Sequence, residues 1–325
     1  IAARNGRRDA DQDFGTNPCS EIILRSNQFC NLSEIVVRGD DTLVTLKKKA
    51  RIAAIIGTLQ ATLTDFRYLR SIWKKNTAEE ALLGVSMTGI MDHWLLGKGE
   101  SKDLAKWLED IRDVAVDTNK EWADKLGIAQ SAAITCVKPS GTVSQLVDSA
   151  SGIHPRFSKH YIRRVRSDKK DPLAVFMEDK GFPVEQDVMS PASAVFSFPV
   201  KAPEKSVTVA EVGAMQQLEL WKTYQNHWCE HKPSITVYYT DNEFLQVAQW
   251  IWDNFEICSG ISLLPVSDHV YQQAPYEDIS IEKYNELLAA MPQGVSWEDL
   301  ENFEQEDNTT GSQELACTGG ACEIV

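Results

Sequence analysis

The sequence has 325 residues, 43% of them hydrophobic, with a formal charge of −14, which is enough chain for a large core. That charge argues against general nucleic-acid binding, which needs a basic face to neutralise phosphates. No apolar run approaches the roughly 20 residues that span a bilayer. Seven cysteines in a long chain read as free thiols of a reducing cytoplasm, not as a secreted disulfide framework. No charged-then-apolar leader opens the sequence, and its start at Ile1 reads as a cut or processed end.

Residues 1–16 are polar and read as a loop leading into the stretch Asn17-Pro18-Cys19-Ser20-Glu21-Ile22. With strand periodicity, Asn17, Cys19 and Glu21 share one face, and Ile22, Ile23 and Leu24 run on into a core. After the helix-start residues Asp40, Asp41 and Thr42, apolar residues from Leu46 to Phe66 recur at helical spacing. Thr77 and Glu80 form a capping pattern. Leu82 to Asp92, interrupted by Gly84 and Gly89, fits either a broken helix or a strand and loop. A helix runs from Ser101 to Leu126 and ends at Gly127, and Ala133 to Val137 is a short strand feeding Lys138-Pro139-Ser140-Gly141-Thr142-Val143-Ser144.

Arg156, Lys159, His160, Arg163, Arg164, Arg166, Lys169 and Lys170 follow as a basic run, read first as a solvated face. Asp171-Pro172 opens a short helix closed by Gly181. Then come a strand over 194–200, a helix over 209–228, a strand over 234–239 and a capped helix through Trp252. A strand over 257–264 and a helix over 281–290 complete the order. Alternating strands and helices predict an α/β architecture. From Ser296 the sequence turns acidic and polar, the composition of a mobile tail. The expected organisation is therefore a folded portion over 1–295 and a tail over 296–325 carrying Cys317 and Cys322.

The chemistry-bearing types cluster in three places. An amide, a thiol and a carboxylate at Asn17, Cys19 and Glu21 can hold a hydroxyl, perform nucleophilic or one-electron chemistry, and move a proton, with Cys30 shortly downstream. Alone, such a cysteine is more often a small buried apolar residue. The 138–144 turn reads either as an ordinary strand-to-helix turn or as an anion cradle of outward amides and hydroxyls, and it is not a Walker loop. Cys317-Thr318-Gly319-Gly320-Ala321-Cys322 can bend to bring its sulfurs together. The histidines show no metal-binding spacing, so no metal site is assigned. Cys136, Cys229 and Cys258 read as structural, and Tyr238-Tyr239 as packing.

These three motifs, in this order and with Ser151-Gly152-Ile153-His154-Pro155 behind the second, resemble the catalytic chain of the adenosylcobalamin-dependent, monomer-type ribonucleoside-triphosphate reductases, from about Asn17 to the last residue. The resemblance implies the C-terminal portion of a ten-stranded α/β barrel. It implies Cys19 as a thiyl radical that removes the ribose 3′ hydrogen, Glu21 as base at the 3′ hydroxyl, and Asn17 as the orienting residue. Cys30 would be one of the reducing pair, whose partner lies upstream of this sequence. Ser140, Gly141, Thr142 and Val143 would hold the substrate phosphates. Cys317 and Cys322 would relay electrons from a thioredoxin-like reductant; the segment from Glu301 to Cys317 reaches at most about 50 Å. The implied cofactor is adenosylcobalamin, and the implied partner is the N-terminal half of the same enzyme. Two alternatives are a reductase chain needing an iron or manganese radical subunit, and a non-catalytic redox-relay or assembly fragment.

Overall fold

The computed structural model describes residues 3–98, 101–266 and 272–304. In chain order the first elements are β1 (Phe14–Thr16), β2 (Ile23–Arg25), β3 (Asn31–Val36), α1 (Leu43–Gln60), α2 (Ser71–Glu80) and β4 (Leu83–Thr88). Then follow α3 (Lys102–Leu126), α4 (Val143–Leu146), β5 (His160–Asp168), α5 (Pro172–Asp179), β6 (Val184–Gln186) and β7 (Ser193–Lys201). The last are α6 (Ala214–His227), β8 (Ile235–Tyr239), α7 (Phe244–Asp253), β9 (Ile261–Pro265), β10 (Tyr276–Asp278) and α8 (Ile281–Ala290). The chain divides into two compact units, residues 1–156 with 205–266 and residues 157–204 with 267–325.

The first unit is an α/β array. β3 pairs in parallel with β4, Glu34 lying opposite Ser86. The segment 133–137 continues the parallel order through Val85 and Thr135, and meets the chain before β8 through Val137 and Pro233. β8 then pairs in parallel with β9. Helices make each crossover, as parallel pairing requires, and the result is an open part of an α/β barrel. The core gathers Leu46, Ala50 and Ala54 of α1, Leu104, Leu108 and Ile111 of α3, and Val85 and Met87 of β4. In α1 the buried positions stop at Thr58. Leu63, 72% exposed, and Phe66 lie beyond the helix, so the apolar spacing overran the helix end.

Local chemistry explains most boundaries. Ser101 accepts the Leu104 amide at 3.0 Å, and Gly127 ends α3 at φ 68°. Thr42 caps α1. The expected start at Thr77 is wrong: Thr77 and Glu80 close α2. Its first turn follows Arg70, which makes no side-chain cap bond, so nothing in the sequence marked it. Leu82 to Asp92 resolves as strand β4 followed by a 3-10 turn.

The second unit is an antiparallel sheet in the order β10-β5-β7-β6. Four of the eight residues of the basic run lie on strand β5 and are partly buried, with Arg164 bound to Glu277 at 2.5 Å and Arg166 facing Asp187 at 3.4 Å, while Lys169 and Lys170 are exposed. Residues 296–304, assigned to the tail by composition, form a 3-10 turn whose Trp297 and Phe303 rings pack on Phe176, each at 5.4 Å. The apolar residues 297, 300 and 303, three apart, outweigh the acidic ones between them. Among the described residues no helix is long and apolar enough to cross a membrane.

Candidate active site

β1 and β2 pair antiparallel, so residues 17–22 form the tip of a hairpin and not a strand. The Asn17 carboxamide oxygen accepts the Ile22 amide at 3.0 Å, its carbonyl accepts the Ser20 amide at 2.9 Å, and Ser20 sits at φ 62°. Asn closing a turn on its own downstream backbone is a known habit of that side chain. The shared face expected from alternation is therefore replaced by a curl. Pro18 is exposed, Cys19 half-buried and Glu21 fully buried.

Glu21 is the unusual group. Neither of its carboxylate oxygens has a hydrogen-bond partner among the described residues, which is costly for a buried charge. Its nearest counter-charge is Lys138 Nζ at 3.4 Å, and its carbonyl accepts the Lys232 amide at 3.1 Å. Burial pushes the Lys232 ammonium down while the charge of Glu21 opposes that shift. Burial, and next the carboxylate of Glu21, push the Cys30 thiol well up, so Cys30 stays protonated at neutral pH. Burial does the same for Cys136, which feels both Glu21 and Cys30.

Gly84 of β4 is what lets these groups meet. A Cβ there would stand 2.4 Å from Leu32, 3.1 Å from Ile22 and 3.3 Å from the Cys30 sulfur. The hairpin is tied to the sheet by His231, which accepts the Ile23 amide at Nδ1 (3.3 Å) and meets the Leu83 carbonyl at Nε2 (2.9 Å). That pattern requires a neutral ring with its proton on Nε2, and burial pulls its pKa down to about 3. Behind the hairpin, Glu80 binds Arg8 at 2.8 Å and Gln28 at 2.6 Å. Burial opposes ionisation of Glu80, but those bonds prevail and hold its carboxyl below the usual range.

The 138–152 segment borders the same place. Lys138 donates its amide to Ser86 Oγ at 2.9 Å. Ser140, at φ 54°, donates its hydroxyl to Glu34 and so faces inward. The Ser140 carbonyl accepts the Ser144 amide at 3.0 Å. Gly141, Thr142 and Val143 lie on the outside, and their amides have no hydrogen-bond partner among the described residues. Gly152 is required where the chain returns, because a Cβ there would lie 2.2 Å from the Lys138 carbonyl oxygen.

The structure thus brings Glu21 and Cys30 together, carries Cys19 on the same loop, and links the 140–143 turn to them through Lys138. Cys136 and Cys229 are buried in the core, and Tyr239 packs its ring on Phe244 at 6.0 Å. Cys317 and Cys322 lie outside the described residues. Sequence reasoning missed Lys138 as the partner of Glu21, and missed Glu34, Ser86 and His231. Only the position of Lys138 at the end of a strand, one residue before the turn, offered a signal.

No protein-family model matches the chain. The adenosylcobalamin-dependent ribonucleoside-triphosphate reductase of Lactobacillus gasseri is 31% identical over 350 residues, covering 95% of this chain and 45% of that protein. The enzyme of the same name from Lacticaseibacillus paracasei is 28% identical over 362 residues, covering 98% of this chain and 46% of its own length. A solved B-12-dependent (class II) ribonucleotide reductase superposes with a TM-score of 0.77 at 26% identity, over 93% of this chain and 45% of that one. The alpha subunit of a class Id ribonucleotide reductase from Actinobacillus ureae, at 12% identity and a TM-score of 0.52, shares the fold alone. The chain spans about half the length of the curated relatives it matches. By sequence over nearly all its length and by fold, it belongs to the adenosylcobalamin-dependent (class II) ribonucleotide reductases.

Proposed function

We propose that this chain is the C-terminal, catalytic portion of an enzyme that reduces ribonucleoside triphosphates to 2′-deoxyribonucleotides in the cytoplasm, working with the remainder of a longer polypeptide. The observation that carries this reading is Glu21, its buried carboxylate without a hydrogen bond among the described residues, near the Cys30 thiol that burial keeps protonated and on the loop that carries half-buried Cys19. A carboxylate with unused lone pairs can take a proton from a substrate hydroxyl, and the Lys138 ammonium stands 3.4 Å from it.

In this scheme the Cys19 sulfur, as a thiyl radical, takes the 3′ hydrogen of the ribose while Glu21 receives the 3′ hydroxyl proton. The Asn17 carboxamide oxygen is committed to the loop, so its NH₂ end orients the sugar hydroxyls. The 2′ hydroxyl leaves as water with a proton from a thiol. Cys30, kept as S–H, and a second cysteine on the remainder of the polypeptide supply the two electrons and become a disulfide. The outward amides of Gly141, Thr142 and Val143, with the hydroxyl of Thr142 at their edge and the Ser140 hydroxyl turned inward behind them, are the place for the phosphates.

Adenosylcobalamin, when bound, supplies the one-electron chemistry that oxidises the Cys19 thiol. At the hairpin tip, half-exposed Cys19 beside exposed Pro18 is open to the approach of so bulky a group. A thioredoxin-like protein acting through Cys317 and Cys322 would restore the reduced pair. The remainder of the polypeptide has a natural seat at β3, whose outer edge has no strand partner among the described residues. Ile52 and Ile56 are exposed alongside it, 58% and 47%.

The test is deoxynucleotide formation by the full-length polypeptide with adenosylcobalamin and a dithiol. Cys19→Ser should abolish product while substrate still binds, and Glu21→Gln should lower kcat by about 10²–10⁴-fold. Unchanged turnover in Cys19→Ser, or a requirement for a separate metal-radical subunit, would overturn the proposal.

A further inference from the structure

Resting on the phosphate reading of the 138–144 turn, we propose that Glu34 is the positioning residue that sets that turn, and with it the affinity for the phosphates of the substrate. Glu34 is on β3 and reaches across β4 to two hydroxyls. It accepts Ser86 Oγ at 3.2 Å and the Ser140 hydroxyl, both at Oε1. Ser86 Oγ in turn accepts the Lys138 amide at 2.9 Å, so its proton is committed to Glu34. One carboxyl oxygen therefore fixes the turn at two points, Lys138 through Ser86 and Ser140 directly.

The second point matters because of the backbone. Ser140 is at φ 54°, a left-handed region that is unfavourable for a non-glycine residue. The hydroxyl bond to Glu34 offsets that cost and keeps the side chain inside. With Ser140 turned inward, the following amides face out. Without the bond, Ser140 is free to relax toward negative φ, which rotates the next peptide and disperses the amides. Burial, opposed by the bonds from Ser140 and Ser86 and by the charge of Lys138, raises the pKa of this carboxyl. Both the charged and the neutral acid keep an oxygen able to accept, so the geometry does not depend on ionisation. Glu34 touches neither thiol nor sugar in this scheme and acts only through the turn.

Binding to the full-length polypeptide tests this, with a ribonucleoside triphosphate and the matching ribonucleoside as probes. Glu34→Ala should weaken the triphosphate about tenfold and leave the nucleoside unchanged. Glu34→Gln, whose carbonyl accepts the same hydroxyls, should stay within about threefold of the parent. Ser140→Ala removes the same contact from the side of the turn and leaves Glu34 in place, and far-UV circular dichroism checks that the variant folds. It should reproduce the loss, and the double variant should be no weaker than the weaker single one. Wild-type-like triphosphate binding in Ser140→Ala, additive losses in the double variant, or equal losses for nucleoside and triphosphate would each overturn the role of Glu34. If the parent itself binds nucleoside and triphosphate alike, the phosphate reading of the turn fails first.

Discussion

Gly84 shows how one residue decides whether the Cys30 thiol and the end of the hairpin at Ile22 can be neighbours. Its missing side chain leaves room for Ile22, Leu32 and the Cys30 sulfur, which converge on one point of β4. We expect Gly84→Ala to cost about 1–3 kcal/mol, the usual penalty for overpacking, because the added methyl would stand 2.4 Å from Leu32 and 3.1 Å from the buried Ile22. The displaced atoms belong to the Cys30 loop, so its thiol should become more accessible. Alkylation with iodoacetamide, followed by peptide mapping, measures this directly: Cys30 should react several-fold faster in the variant, with Cys136 and Cys229 still protected. An unchanged rate would mean that Leu32 alone absorbs the added methyl. The same reasoning explains why Glu21 and Cys30 were legible as chemistry but not as a pair. Their types were visible in the sequence, whereas the hole that joins them lies on a strand fifty residues away.

Between elements, two neutral histidines serve as struts. His231 joins the hairpin to β4, and His154 joins the turn at Ser151 to β8, meeting the Ser151 carbonyl at 2.9 Å and accepting the Thr236 amide at 2.9 Å. Burial lowers them to about 4 for His154 and about 3 for His231, from 6.5. The unfolded chain takes up these protons below pH 6.5 and the folded one does not. Their contribution is therefore complete above pH 6.5 and is lost progressively toward pH 4 and then 3, on the order of a few kcal/mol each. Denaturant unfolding at pH 7.5, 6.5, 5.5 and 4.5 should show falling stability, and His154→Asn should flatten the slope. A slope unchanged in the variant would remove His154 from the account. At this scale the sequence was readable where signals were local, as with Ser101 and Gly127 around α3. It misled where a short pattern stood without context. The T-x-x-E at Thr77 closes a helix instead of opening one, and Asn17-Pro18, a turn signal in its own right, was read through as strand. The arginines of β5 looked solvated because their partners, Glu277 and Asp187, come from distant strands.

For the whole molecule, the arrangement of the first unit makes a supply problem. On the proposed function each reduction would oxidise the Cys30 thiol, whose sulfur lies against Gly84, and a dithiol able to travel between a protein reductant and that site would restore it. The sequence offers Cys317 and Cys322, separated by four small residues and preceded by a polar stretch. From Glu304, the last described residue, the chain to Cys317 can reach at most about 45 Å, enough for a dithiol to alternate between partners by thiol–disulfide exchange. A small dithiol needs no carrier. In the full-length polypeptide, Cys317→Ser should then lose turnover driven by a thioredoxin-type protein by at least about 100-fold, while turnover with dithiothreitol stays within about threefold. Parallel assays of deoxynucleotide with the two reductants separate the cases. Equal losses with both would place Cys317 in the catalytic step itself, and equal retention would mean that the protein reductant reaches the site by another route.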